Sequence, residues 1–447
     1  MNKNLNLLEG KILPVLLKLS APLMGTAFVQ ITYVLADIIW VGRIGTEAVA
    51  ASGTVGILIW FANALMLVPR VGLSIRGAHS YGAKDLESTK TIFRNGIQLA
   101  VIMGILLTLT TVIFKEGIIG YYGLADEVDR MAKDYLLVIS FGFVLSFLNP
   151  VLSACYNSMG NSITPFRMNV IGLILNIALD PILIFGIGPI PGMGIVGAAM
   201  ATVFSQLIVS ILFIIIIKKS RDLIYRAGFF KQINISEMKK IIKLGLPGFL
   251  QSGVHSVAGM ILNKYMAFYG AIPVAVYSVG SMIESVSWMT TDGISAAIAA
   301  LVGQNYGAKR EDRIKEAFRT SIVIVSILGI LVTIAFYLFG DPIFRVFLPK
   351  DEEAIALGVK YLHIIGWSQV FMTVEIGSTG VFNGIGKPNI PGIIAVILNI
   401  LRIPMAWIFM PIYGVLGVWI SMSVSGILKG VFGFSILKGK IRKLKFD

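Results

Sequence analysis

Apolar stretches of about 20 residues, each long enough to cross a bilayer, recur along the whole chain: residues 16–41, 47–70, 92–114, 135–157, 166–187, 193–217, 242–267, 272–296, 318–340, 360–382, 390–410 and 413–436. A β-barrel would instead need segments of about 10 residues with alternating polarity, and runs such as Ile211 to Ile217 do not alternate. The expected fold is therefore an all-α polytopic membrane protein with twelve transmembrane helices. Composition agrees, since 56% of the 447 residues are hydrophobic and 14% charged, against roughly 25% charged in soluble domains.

The twelve runs fall into two copies of six. At an offset of 225, Lys18, Leu19, Pro22, Val29, Gly45, Val49 and Ala50 meet Lys243, Leu244, Pro247, Val254, Gly270, Val274 and Ala275. Tyr81-Gly82-Ala83-Lys84 recurs as Tyr306-Gly307-Ala308-Lys309, and Lys90, Phe93, Arg94 and Ile97 recur as Lys315, Phe318, Arg319 and Ile322. At an offset of 226, Asn157, Gly160, Pro165 and Val170 meet Asn383, Gly386, Pro391 and Val396. Residues 1–220 then form an N-terminal lobe with helices 1–6, 221–240 a connector, and 241–447 a C-terminal lobe with helices 7–12. An even number of spans returns each copy to its starting side, so the repeat is parallel, and the expected place for a substrate is between the halves. Two complete halves predict a working monomer.

Cytoplasmic loops accumulate Lys and Arg. Of the 38 such residues, 27 lie in the tails and in the loops after even-numbered spans, and seven in the opposite loops. Both termini and the connector are thus expected on the cytoplasmic side of the cell membrane. The net charge of +14 follows from that asymmetry and from attraction to an anionic inner leaflet, with no need for nucleic acid. The N-terminal tail is short and basic and leads into a full-length span, so the first span is expected to serve as its own insertion signal. Cys155 is the only cysteine and forms no internal disulfide.

Energy from ATP would require a phosphate-cradling Gly-x4-Gly-Lys-Ser/Thr loop, which is absent; Gly384-Ile385-Gly386-Lys387 runs into Pro388. No ATPase subunit is implied. His79, His255 and His363 are too scattered for a zinc protease. The chain does not read as an enzyme, and no cofactor is expected beyond a coupling ion.

An ionisable side chain within the hydrocarbon costs about 3 kcal/mol or more and signals function by default. Asp37 lies five residues before Gly42 and Asp180 six before Gly186, placing both roughly 7–9 Å inside the outer surface. Asn176 is one turn before Asp180 on the same face, and Thr202 lies about 15 Å below Gly192. These four side chains are candidates for one site. Two carboxylates in a low-dielectric site cannot easily both stay charged, so a proton is a candidate ligand. A hard cation such as Na+, completed by amide and hydroxyl oxygens, is the other. The competing reading has Asp37 snorkelling outward and Asp180 opening a Pro181 kink, with Asn176 capping freed carbonyls; both stay open on spacing alone. The repeat offers a control: Asn176-Ile-Ala-Leu-Asp180-Pro181 corresponds to Asn399-Ile-Leu-Arg402-Ile403-Pro404, and position 37 to Leu262. The acids exist in the first copy only.

The second copy has its own polar stripe. Tyr277, Glu284, Trp288 and Asp292 recur on one face of the eighth span, and Trp367, Phe371 and Glu375 on one face of the tenth. Together with His255 these are candidates to line a cleft for a lipophilic cation, through cation-π contact and charge pairing. The alternative is ordinary packing, with Glu284 paired to Lys264 or Arg402. Arg70, Arg76 and His79 form a basic cluster that headgroup snorkelling explains most simply, recognition of an anionic substrate being the alternative. Lys218 to Lys243 reads as a solvated connector.

With Leu35-Ala36-Asp37-Ile38-Ile39-Trp40-Val41-Gly42-Arg43-Ile44-Gly45, the paired Tyr-Gly-Ala-Lys strings, Val302-Gly303-Gln304-Asn305, Asn157-Ser158-Met159-Gly160 and Asn176 to Pro181, the chain resembles the multidrug and toxic compound extrusion (MATE) family over essentially its whole length. The resemblance implies a cation-coupled exporter, using Na+ or H+, with two six-helix lobes around a V-shaped cleft. It also implies amphiphilic, mostly cationic small-molecule substrates. By matching position, Asp37 would be the family's helix-1 acid, with Asn176, Asp180 and Thr202 completing the cation network. Some members carry an acid early in the seventh span; here Pro247 to His255 offers only His255 as an ionisable group. The rival readings are a flippase for lipid-linked saccharides, which would want a more cationic cleft, and a passive channel or membrane receptor.

Overall fold

Each apolar run corresponds to one long helix, and most of these helices extend beyond the run at both ends. The protein is described by a computed structural model covering residues 4–349 and 351–446. In the first copy the helices are α1 (Ile12–Gly42), α2 (Thr46–Gly82), α3 (Leu86–Gly120), α4 (Asp126–Ser158), α5 (Ile163–Phe185) and α6 (Gly194–Ser220). A small antiparallel hairpin, β1 (Gly186–Ile187) with β2 (Ile190–Pro191), joins α5 to α6, and Gly186 stands opposite Pro191. A short α7 (Leu223–Ala227) follows. The second copy comprises α8 (Ile235–Ala267), α9 (Ala271–Gly307), α10 (Glu311–Phe347), α11 (Glu352–Gly384), α12 (Asn389–Tyr413) and α13 (Val415–Arg442). Among the described residues eleven helices are long and apolar enough to cross a membrane. The twelfth expected span, in α8, is long enough but less apolar, because Gln251, Ser252, His255 and Ser256 interrupt it. The architecture is that of an all-α, multi-pass membrane protein.

The duplication extends to backbone detail. Lys84 (φ 60°) and Lys309 (φ 56°), which close the two Tyr-Gly-Ala-Lys strings, are both left-handed. So are Gly45 with Gly270, at φ 150° and 107°, and Gly160 with Gly386, at φ 83° and 71°. The acids that open α4 and α11 also have a local reason. Asp126, Glu127 and Asp129 occupy the first turn of α4, and Glu352 and Glu353 that of α11, where negative charge complements the helix dipole.

Packing divides the described chain into two compact units, and two helices are shared out between them. Residues 4–5 and Gly25–Phe249 form unit 1; Asn6–Met24 and Leu250 onward form unit 2. The first half of α1 therefore packs with the second copy, and the first half of α8 with the first copy; the 221–240 connector lies wholly in unit 1. Within unit 1 the α2–α8 crossing is backbone on backbone. A β-carbon on Gly72 would fall 2.0 Å from the Ile241 carbonyl oxygen, and one on Gly245 1.9 Å from that of Val68. The core of this unit centres on Phe93, Phe143, Phe147, Tyr156 and Phe213; that of unit 2 centres on Tyr361, Trp419, Phe336 and Phe344.

The connector is docked rather than loosely solvated. Gln98 donates to the carbonyls of Phe229 (2.7 Å) and Lys231 (3.0 Å), and Asn95 accepts from the Asn234 amide (2.7 Å). In unit 2 the stretch before α1 is held in a similar way. Asn305 donates to Leu7 O, Arg310 to Leu8 O, and Arg313 to Gly10 O. Several basic loop residues that carry the positive-inside signal thus also bind main chain.

Two outcomes are expected from this packing. Gly72→Ala and Gly245→Ala each push a methyl group into a carbonyl that has no room to yield, and should cost about 1–3 kcal/mol, seen as a lower melting temperature of the detergent-solubilised protein. Gly253→Ala, where a β-carbon meets no described atom within 4 Å, should be neutral or gain up to about 1 kcal/mol of helix propensity. Separately, Lys84→Gly and Lys309→Gly should each raise stability by about 1 kcal/mol, because glycine removes the penalty of a left-handed L-residue.

Candidate functional site

Packing of α1 against α5 and α6 sets the geometry of the first copy's acids. Gly25 leaves space for the Phe166 ring, since a β-carbon there would lie 2.6 Å from it, and higher up Trp40 meets Phe185 edge-on with ring centroids 6.2 Å apart. These two contacts bracket Asp37 on α1 and Asp180 on α5. The α5–α6 turn is equally close: the Met193 amide donates to Leu183 O at 2.9 Å, and a β-carbon on Gly197 would fall 2.2 Å from the same carbonyl oxygen. α6 is locked to α4 by Ser146 donating to Gln206 Oε1 (2.9 Å), Asn149 to Gln206 O (3.0 Å) and Ser210 to Asn149 Oδ1 (2.7 Å). Thr202, one turn before Gln206, is fixed by that lock.

Within this frame Asp37 faces both Asn176 and Asp180, and Asn176 Nδ2 donates to Asp180 Oδ1 at 3.3 Å. Asn176 and Asp180 are completely buried. The fourth predicted residue, Thr202, lies beside the Tyr33 hydroxyl, and Tyr33 in turn faces both carboxylates. Tyr135 of α4 faces the two acids as well. Four oxygens here are enclosed without a hydrogen-bond partner: Tyr33 Oη, Asp37 Oδ1, Asn176 Oδ1 and Asp180 Oδ2. Buried polar atoms are normally satisfied, and no described residue satisfies these four oxygens. Their chemistry, oxygen only and partly anionic, fits a small hard cation or a proton. Tyr33 was legible in the sequence, one turn before Asp37 on the same face; Tyr135 sits on another helix and gave no spacing signal.

In the second copy the stripes divide. Tyr361 donates to Glu284 Oε2 at 3.3 Å and Gln369 to Glu284 Oε1 at 3.5 Å. Lys429 Nζ pairs with Glu375 Oε2 at 3.1 Å, with both side chains about nine-tenths buried. Arg402 donates from Nε to Ser425 Oγ at 3.0 Å. Glu284 therefore bonds to neither Lys264 nor Arg402, although Arg402 faces it through space. Tyr277 packs edge-on against Tyr361 at 6.3 Å and faces Glu284. His255 is exposed and faces Arg402 and Lys429. Phe371 is half-buried against Gly430, whereas Trp288 and Trp367 are 38% and 60% exposed and present much of their rings at the surface. Lys429 and Tyr361 extend the predicted set. Lys429 sits inside the last apolar run and was findable there as an isolated charge; nothing in the spacing singled out Tyr361.

The basic cluster of α2 is partly accounted for by pairing. Arg76 meets Glu237 of α8, Nε to Oε1 at 2.8 Å and the terminal amino group to the same oxygen at 2.6 Å.

Comparison with known proteins agrees with this architecture. A family model described as MatE matches residues 22–182 and 247–408. The chain is 28% identical to the probable multidrug resistance protein NorM of Thermotoga maritima, over 96% of this chain and 93% of that protein. It is 25% identical to the FAD transporter of Shewanella oneidensis, over 95% and 94% of the two. A solved structure of a multidrug resistance MATE family transporter of the MOP superfamily, in an outward-facing conformation, matches with a TM-score of 0.89 at 25% identity, covering 99% of this chain and 98% of the other. The two stretches matched by the family model fall one on each copy of the repeat, and the chain belongs to the MatE family.

Proposed function

We propose that the chain is a cation-coupled antiporter that exports amphiphilic small molecules, with Asp37, Asn176, Asp180 and Thr202 taking the coupling ion, Na+ or H+. The observation that carries this reading is the group of enclosed, unpartnered oxygens at Tyr33, Asp37, Asn176 and Asp180. The name of the Thermotoga relative supports efflux of drugs, and the Shewanella relative, named for FAD, supports small-molecule transport in a wider sense. A cation or proton arriving between the two aspartates neutralises their repulsion and favours the conformation in which they lie close. A substrate that favours the other conformation then weakens cation binding by the same factor by which the cation weakens substrate binding. That reciprocity is antiport. A membrane potential adds about 2.3 kcal/mol per charge per 100 mV to the drive. The charge asymmetry of the loops supports insertion in the cell membrane with both termini cytoplasmic.

The test uses vesicles containing the purified full-length chain and a fluorescent lipophilic cation, with Na+ and H+ gradients imposed separately. Dye movement driven by one of them is expected, and that gradient identifies the ion. Asp37→Asn and Asp180→Asn should each cut the gradient-driven flux on the order of 10–100-fold, the size of a typical coupling energy. Flux that ignores both gradients, from folded protein, would exclude coupling and favour a lipid flippase or a passive pathway.

A further inference from the structure

The second copy buries charge of both signs where the first buries acid, and two of those charges, Arg402 and Glu284, have no direct counter-ion among the described residues. Arg402 falls one position before the equivalent of Asp180, between Asn399 and Pro404 where the first copy has Asn176 and Pro181. It is only 7% exposed. Its Nε is anchored by Ser425, whose hydroxyl donates onward to Leu398 O at 2.8 Å. Neither carboxylate facing it comes within ion-pair distance: Glu375 is taken by Lys429, and Glu284 by Tyr361 and Gln369. Among the described residues, then, the guanidinium uses one of its five donors. A buried guanidinium in that condition is costly. No Arg402 nitrogen is among the enclosed atoms without a partner, so its two unbonded terminal amino groups open onto accessible space. His255, exposed, and Lys429 face the same region, and Asn399 Oδ1 and Gln369 Oε1 remain enclosed without partners.

A planar fork held from behind, with its two outer amino groups free, is the geometry that receives a carboxylate or phosphate. Glu284 and Glu375 lie alongside, so a ligand carrying a positive group as well would match the cluster sign for sign. We propose that Arg402, with Lys429 and His255 beside it, forms a subsite for the oxyanion of a zwitterionic amphiphile, whose cationic group is taken by Glu284, the carboxylate held only by neutral donors. This deepens the export reading given above and rests on it for the word substrate; the subsite itself rests on the geometry of unit 2. Two sources share the chemistry, a soluble zwitterion and the headgroup of a zwitterionic phospholipid.

The probe is a matched pair: a rhodamine bearing a free carboxylate, and its methyl ester, which keeps the same cationic ring system. Binding of each to the purified full-length protein is followed by fluorescence anisotropy in lipid-free detergent. The acid is expected to bind about tenfold more tightly than the ester, as a charge-assisted pair warrants. Arg402→Met should bring that ratio close to one, and Arg402→Lys should retain part of it, separating charge from packing. Should Arg402→Met fail to fold, Ser425→Ala, which unhooks Nε, should still reduce the ratio about threefold. Displacement of the acid, but not of the ester, by added phosphatidylethanolamine would assign the oxyanion to a lipid headgroup; no displacement would assign it to a soluble ligand. Equal binding of acid and ester by the wild type, or a preference that survives Arg402→Met or Ser425→Ala, would overturn the proposal. Failure of the export reading looks different: neither dye would move under a gradient in vesicles, while the binding ratio would stand.

Discussion

Two carboxylates facing each other in a low-dielectric interior repel, and side chains free to move would turn apart. In the first copy they are not free. The Gly25–Phe166 and Trp40–Phe185 contacts fix α1 on α5, the hairpin after Phe185 fixes α6 on α5, and the Ser146, Asn149 and Ser210 hydrogen bonds fix α6 on α4. These contacts together hold Asp37 and Asp180 in each other's presence. The repulsion is then available as a response to whatever neutral or cationic state the site is given.

The second copy shows what the same scaffold does without that constraint. Its helices have similar lengths, its turns reuse the left-handed Lys309 and Gly386, and glycine again permits backbone contact, as where Gly329 of α10 meets Val370 of α11 in the manner of Gly104 and Val144 in the first copy. Duplication kept the features that backbone geometry demands. Side-chain charge diverged: Leu262 is fully buried where the first copy has Asp37, and Arg402 and Lys429 sit with Glu284 and Glu375 in a network of both signs. Two like frames thus hold unlike electrostatics.

The spans were legible because a backbone in hydrocarbon must satisfy its own hydrogen bonds, which leaves long apolar helices as the solution. The duplication was legible because left-handed and close-contact positions tolerate few residue types. Asp37, Asn176 and Asp180 could be grouped by depth and helical period, and their side chains do converge. Spacing could not choose partners across helices. Tyr135 beside the acids, Ser425 behind Arg402, and Tyr361 on Glu284 all depend on which helices neighbour one another, and periodicity within one segment is silent on that. The exposure of Trp288 and Trp367 makes the same point, since a shared face along a helix does not say what that face meets.

The exchange of helix halves bears on how the chain is made. Unit 1 is incomplete until Phe249 has been synthesised, because Gly245 and Ile241 on α8 supply the partners for Val68 and Gly72. Unit 2 needs in turn Asn6–Met24, which is made before any other segment of that unit. Neither half is then an independent packing unit: Asn6–Met24 finds its partners only in the second copy, and a cut in the connector would leave each fragment lacking a helix segment that the other carries.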